Sequence, residues 1–228
     1  MPTVIFFWMY WIGLKGLPEN PKPVPPNKYN ELICEVIWLE SGGTGPIRMI
    51  PIRFKHFLEP LFIQTSDFDQ YLKKLKEITP ASSGITRFAS RQLLHQRNHP
   101  KLYRRWHFYN IVTEIWVSRN WTGQEAVSSF AEWSYFGHGT YGIVDASKKY
   151  FNKRPDELSL EEVAVIIGIT QSPSRYNPWC NSELALKRTN DLLEKIYIER
   201  HERNNFRKLE SLPKTLLPAP VDVCKHGA

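Results

Sequence analysis

Apolar residues recur along this chain in blocks long enough for helices, with no convincing run of the strict alternation that marks a half-buried strand, so the expected fold class is mainly α. Glu31 to Glu40 (ELICEVIWLE) is apolar on most faces and predicts a buried helix, stopped by Ser41-Gly42-Gly43 where glycine supplies the helix end. Thr65 to Ile78 is amphipathic instead: Phe68, Leu72, Leu75 and Ile78 form a stripe, and Lys73, Lys74 and Lys76 lie away from it. Thr122-Gly123-Gln124-Glu125 has the spacing of a capping box, in which a hydroxyl and a later glutamate satisfy each other's backbone amides. It opens a helix through Trp133. A second box, Ser159-Leu160-Glu161-Glu162, precedes the apolar run Val163-Ala164-Val165-Ile166-Ile167, so a buried helix starts near Leu160. Pro173 and Pro178 prevent its continuation. Ser182 to Asn205 predicts one long helix with Leu192, Leu193, Ile196 and Tyr197 turned inward.

The segments between these blocks are punctuated rather than periodic. Val4 to Leu14 is aromatic and uncharged, but it is shorter than the ~20 residues of a spanning helix and lacks the basic start of a signal peptide. It fits the end of a membrane anchor, an interfacial segment or a buried element. Leu17 to Pro26 holds five prolines in ten residues and reads as an extended linker or wrapping segment. Arg48 to Glu59 is irregular, basic and aromatic, suited to a membrane surface or a partner. Phe136 to Gly142 places three glycines in seven residues, which permits positive φ or close backbone packing. After Leu212 come three prolines and a mixed tail expected to be poorly ordered. The expected organisation is a hydrophobic segment and linker at 1–26, one folded domain at 27–205 and a tail at 206–228.

Composition narrows the class. A chain of 228 residues that is 42% hydrophobic and 13% aromatic can bury a real core, which excludes a disordered protein. A net charge of +7 favours an anionic partner: phospholipid headgroups, a pyrophosphate-linked substrate or nucleic acid. Much of that charge is concentrated between Gly84 and Asn110, where Arg87, Arg91, Arg97, Lys101, Arg104 and Arg105 occur without one Asp or Glu. A solvated helix face usually intersperses acids, so this run suits phosphate groups. Cys34, Cys180 and Cys224 are far apart with no CxxC pair, signalling neither a zinc site nor a disulfide framework and allowing at most one bridge. Glu40 closes the first apolar run. Against Trp38 and Leu39 its carboxylate would be partly desolvated, with a pKa raised toward general acid or base work; the alternative is a solvated glutamate at a helix end.

From Ser134 to Tyr176 the pattern YFG.G.YGI..A...YF.K...LSL.E.A...G..Q.PS.YNP resembles the last sequence block of glycosyltransferase family 51, the peptidoglycan glycosyltransferases found alone or at the front of class A penicillin-binding proteins. That family opens with an apolar helix ending in Glu-Asp, followed by an aromatic and a histidine. Trp38-Leu39-Glu40-Ser41 fits the helix and the glutamate, but Ser41 stands for the aspartate and the later residues are missing. Gly84 and Thr86 fall on the start of the family's Gly-x-Ser-Thr-Ile-x-Gln-Gln block, with Arg87 replacing its Thr and Ser90-Arg91 its Gln-Gln. The family's Arg-Lys-x-x-Glu falls on Trp106 to Asn110, so Asn110 stands where the second functional glutamate belongs. An amide neither ionises nor holds a cation comparably. Glu114, one helical turn on, can reach the same space, or is simply a charge on the helix face. The Ile-Leu-Glu-x-Tyr-Leu-Asn block lands on Ala126 to Glu132 with its Glu and Asn lost.

The resemblance implies a lysozyme-like helical domain that transfers a growing glycan from undecaprenyl pyrophosphate to the 4-hydroxyl of lipid II. It casts Glu40 as base, Glu114 or Asn110 at the second carboxylate position, and Arg87, Ser90, Arg91, Arg105 and His107 as substrate-binding. A divalent metal, Mg or Mn, would assist the pyrophosphate in an active enzyme; no further cofactor and no separate metal-ligand motif is expected. The implied partners are lipid II or a nascent glycan strand, an anionic membrane surface and other cell-wall synthesis proteins, and not nucleic acid. The implied location is the extracytoplasmic face of the bacterial cytoplasmic membrane. With half of the catalytic constellation replaced, two further classes stay open: a non-catalytic module that binds glycan or lipid pyrophosphate, and a lytic transglycosylase, whose Glu-Ser is matched by Glu40-Ser41 but whose Gly-Leu-Met-Gln is absent.

Overall fold

A computed structural model describes residues 8, 10–53, 56, 63–65, 67–97, 106–221 and 223–224 of the protein. The fold is mainly α. Its helices with both ends among the described residues are α1 (Glu31–Glu40), α2 (Phe68–Ile78), α3 (Ser83–Arg97), α4 (Trp106–Asn120), α5 (Gly123–Trp133), α6 (Ile143–Phe151), α7 (Leu160–Ile169) and α8 (Ser182–Glu199), and residues 10–14 are helical as well. Among the described residues the one strand-like feature is an isolated bridge between Tyr135 and Tyr141. No helix among them is long and apolar enough to cross a membrane.

The chain divides into two compact units, the first comprising residues 1–23, 41–43 and 48–126. Its centre is the packing of α3 on α4. Ile85, Ala89 and Leu93 recur four apart on α3 and are buried, as are Val112 and Ile115 of α4. Backbone approaches here are very close: a Cβ on Gly84 would fall 1.7 Å from the carbonyl oxygen of Ser41, and one on Gly13 would fall 2.4 Å from Val112 Cγ2. The hydroxyls of Ser82 and Ser118 accept the amides of Ile50 (3.0 Å) and Ile52 (2.9 Å), which holds the irregular 48–52 stretch to α3 and α4. At α2 the Asp67 carboxylate accepts the amide of Asp69 at 2.9 Å, a side-chain cap for the first turn. The side chains of Phe68, Leu72 and Ile78 in its expected stripe lie outside the described residues, as do 4–7 and 9 of the first aromatic segment and 54–55 and 57–59 of the basic one. At the start of α5 the Thr122 box forms as expected, Thr122 Oγ1 accepting the Glu125 amide at 3.2 Å and Glu125 accepting the Thr122 amide at 2.6 Å.

The second unit comprises residues 24–40, 44–47 and 127–228. Here α7 packs against α1, α6 and α8, which explains why it is apolar on every face: Val163 to Ile167 are all buried. Ser159 and Glu162 form the predicted box, with the Ser159 amide 2.8 Å from Glu162 Oε2. The other Glu162 oxygen accepts Lys153 Nζ at 2.6 Å and the Thr215 hydroxyl. The Gly-rich turn takes positive φ at Gly137 (86°), His138 (50°), Gly139 (72°) and Gly142 (78°), and Tyr150 donates its hydroxyl to Phe136 O at 2.8 Å. Trp179 stacks on Tyr150 with centroids 4.5 Å apart.

Two expectations are corrected in this unit. The last helix ends at Glu199 rather than at Asn205, because His201 turns left-handed (φ 58°) and the chain folds back to set Phe206 5.7 Å from the Tyr197 ring. The described part of the tail after Leu212, expected to be poorly ordered, is bonded to the rest of the unit instead: Leu217 N donates to Tyr150 O (2.8 Å) and Trp179 Nε1 to Leu217 O (2.9 Å). Just before it, Leu209 N donates to Asn190 Oδ1 (2.8 Å). A disulfide joins Cys180 to Cys224, and Cys34 remains a buried free thiol.

Candidate functional site

In the second unit α1 delivers Glu40 at its C-terminal residue, on a helix whose Val36 to Leu39 are buried. The Glu40 carboxylate accepts a hydrogen bond from the Arg188 guanidinium of α8, and Lys195, two turns further along α8, donates to Leu39 O. Both partners of the Glu40–Arg188 pair are largely enclosed, at 9% and 19% side-chain exposure. Arg188 is itself set by the Tyr176 ring, whose centroid lies 5.9 Å from its guanidinium carbon, and by Gly168, which offers no side chain to displace it. Burial pushes the Glu40 carboxyl above the ordinary glutamate range, while Arg188 and Lys195 pull the other way. The arrangement is a desolvated carboxylate kept near a cation, able to hold a proton or to accept one. Ser41, in the first unit, carries a hydroxyl that meets no hydrogen-bond partner.

In the first unit α3 and α4 bring together Arg87, Ser90, Asn110 and Glu114. Ser90 Oγ donates to Asn110 Oδ1 at 2.9 Å, and Asn110 Nδ2 donates to Glu114 Oε1 at 2.6 Å. Arg87 Nε lies 3.7 Å from that same oxygen. Glu114 is not a charge on a solvated helix face: its side chain is 3% exposed, against 51% for Arg87. Burial raises its pKa, opposed by Arg87, by the Asn110 amide and by Arg91. Arg91 and His107 are exposed on α3 and α4. Arg105 lies outside the described residues, as do Lys101, Arg104 and the Arg97 side chain. This donor set does not fit a divalent cation, since Glu114 is its one carboxylate and is already faced by two arginines. Among the described residues no three metal-ligating side chains converge.

Sequence reasoning had no means of finding Arg188 or Lys195, which are remote in the chain from Glu40 and sit in an ordinary charged helix. It also passed over Glu132, which stands at the Asn of the family block and accepts Lys28 Nζ at 2.8 Å and the Tyr29 hydroxyl. Those two hydrogen bonds hold the Glu132 carboxyl below the usual range.

Comparison with known proteins agrees with the motif reading. Residues 67–197 match the family described as transglycosylase. A provisionally named transglycosylase of Cupriavidus necator is 31% identical over 120 residues, covering 53% of this chain and 51% of that protein. Penicillin-binding protein 2D of Bacillus subtilis is 32% identical over 163 residues, covering 69% of this chain and 22% of its own length. Penicillin-binding protein 1A of Pseudomonas aeruginosa is 35% identical over 86 residues, 38% of this chain and 10% of its own. The chain thus spans about half the length of the first of these relatives and under a quarter of the second.

Proposed function

Because this chain belongs to the transglycosylase family, with a peptidoglycan glycosyltransferase type of function, we propose that it engages lipid II or a nascent lipid-pyrophosphate-linked glycan and polymerises it weakly or not at all. The observation that carries this reading is the state of the second carboxylate position: Asn110 is uncharged, and Glu114, the nearest carboxylate, is closed beneath Arg87 and the Asn110 amide.

In this reading Glu40 is the base that takes the proton of the acceptor 4-hydroxyl as the new glycosidic bond forms and the lipid pyrophosphate leaves. Arg188 favours the ionised form of that carboxylate, while burial, the larger effect, leaves its pKa raised. Arg87 and Arg91, with Arg105 and His107, receive the charge that builds on the departing pyrophosphate, and the buried Ser90 acts on it only through Asn110. Base catalysis supplies ~10²–10⁴-fold, and the rest must come from electrostatic stabilisation of the leaving group. With an amide at position 110, that second contribution falls on arginines alone. The enclosed Glu114 favours the non-catalytic binding module as the second reading.

The work is placed at the extracytoplasmic face of a bacterial cytoplasmic membrane, beside other cell-wall synthesis proteins. The net charge of +7 suits an anionic membrane surface, and the Cys180–Cys224 disulfide suits an oxidising compartment. The test is lipid II polymerisation by the purified chain beside a binding measurement on the same sample. Binding with trace or no polymer is expected; Glu40→Gln should remove any turnover, and Asn110→Glu should raise it. Polymerisation by the unmodified chain at rates usual for enzymes, ~1–10³ s⁻¹, would overturn the proposal.

A further inference from the structure

Arg87, Ser90 and Asn110 each replace a different residue type in the family pattern; Arg87 and Asn110 meet Glu114, and Ser90 is linked to it through Asn110. The Ser90 hydroxyl fixes the Asn110 amide by donating to its oxygen (2.9 Å), which turns the amide nitrogen toward Glu114 (2.6 Å). Glu114 Oε1 then faces Arg87 Nε at 3.7 Å. A carboxylate with 3% of its side chain exposed has little surface to offer a substrate, and it acts through what covers it. Its ion pair is with the Nε edge of Arg87, at a separation too long for a hydrogen bond, and leaves the terminal amino groups of a half-exposed guanidinium as further donors. Arg91, exposed one turn along α3, is close enough to act on Glu114 electrostatically and adds a second cation.

We propose that Glu114 is the positioning residue of an anion clamp: through Asn110 and Ser90 it is held so as to fix Arg87, whose outward donors, with Arg91, bind a phosphate group of a pyrophosphate ligand. This rests on the lipid-pyrophosphate reading and goes beyond it, because it gives Glu114 no contact with the reacting atoms.

The sign of the effect separates positioning from simple charge. A carboxylate beside an anion site repels the anion, so by Coulomb's law alone its removal strengthens binding. A positioning role gives the opposite, since an unanchored Arg87 spreads over many rotamers and must be ordered by the ligand. The experiment is calorimetric titration of the full chain with inorganic pyrophosphate at low salt, with melting curves to check the fold. Glu114→Gln is expected to weaken binding about tenfold, and Arg87→Gln by a similar factor. The double variant should lose little more than either single one, because both remove the same clamp. Asn110→Ala, which keeps the Glu114 charge but frees its carboxylate, should also weaken binding and serves if Glu114→Gln does not fold. Equal or tighter binding by Glu114→Gln or by Asn110→Ala, or fully additive losses in the double variant, would overturn the inference while leaving the reading intact. An unmodified chain that binds neither pyrophosphate nor lipid II would overturn both.

Discussion

Replacing Cys180 and Cys224 by serine removes a crosslink between residues 44 apart in the chain. The loop-entropy relation for a closed loop of that length gives ~4 kcal/mol of destabilisation, acting through the unfolded chain. The contacts that the tail makes in the folded state, Leu217 with Tyr150 and Trp179, and Thr215 with Glu162, do not involve the sulfurs and persist in the variant. They leave the difference unchanged. Native bridges deliver about 2–4 kcal/mol in practice, equivalent to ~6–12 °C in Tm for a chain of this size. Urea unfolding followed by tryptophan fluorescence, on the oxidised protein, the reduced protein and the double serine variant, measures it. Reduced and serine forms should agree with each other and fall below the oxidised form by that amount. A loss under ~1 kcal/mol would refute the loop argument and show that the unfolded chain already keeps the two segments close.

Three further outcomes are expected. Gly84→Ala places a Cβ 1.7 Å from a backbone oxygen, so it should cost more than the ~1–3 kcal/mol of ordinary overpacking; a melting curve within a few degrees of the parent's would show that the Ser41 carbonyl can move away. Arg188→Met leaves the Glu40 carboxylate buried without its hydrogen-bonded cation, at about 3 kcal/mol near neutral pH. Because burial raises the Glu40 pKa, its contribution to stability is fully present below the ordinary glutamate value and is lost as pH rises through its own. The penalty should therefore shrink in acid, and a pH-independent penalty in urea titrations counts against the pairing. Glu132 is the reverse case: hydrogen bonds from Lys28 and Tyr29 hold it below the ordinary value of 4.5, so its contribution is present above that value and lost as pH falls. Glu132→Gln should flatten the acid limb of stability between about pH 5 and pH 3, and an unchanged slope there would dismiss the effect.

Elements whose limits are set by neighbouring residues were legible in the sequence. Glu31 to Glu40 is a helix with the ends that the sequence predicts, because the apolar run and the two glycines after it act within a few residues. Both capping boxes formed where hydroxyl and glutamate stand three apart. The end of α8 was misplaced because nothing between Glu199 and Asn205 forbids helix. The chain leaves it at His201, and Phe206 packs on Tyr197.

For the candidate sites the division is the same. The place of Glu40 at the end of its helix and the four-residue spacing of Asn110 and Glu114 follow from the sequence alone, as does the loss of a charge at position 110. Glu114 was compatible with either a solvated helix face or a site until α3 packed on α4 and enclosed it. The pairing of Glu40 with Arg188, 148 positions away, appears only when α8 lies beside α1. Helix ends and caps depend on interactions spanning three or four residues, which a sequence displays directly. Burial of a charge and the choice of its partner depend on which distant surfaces exclude water together, and that is decided only when the helices pack.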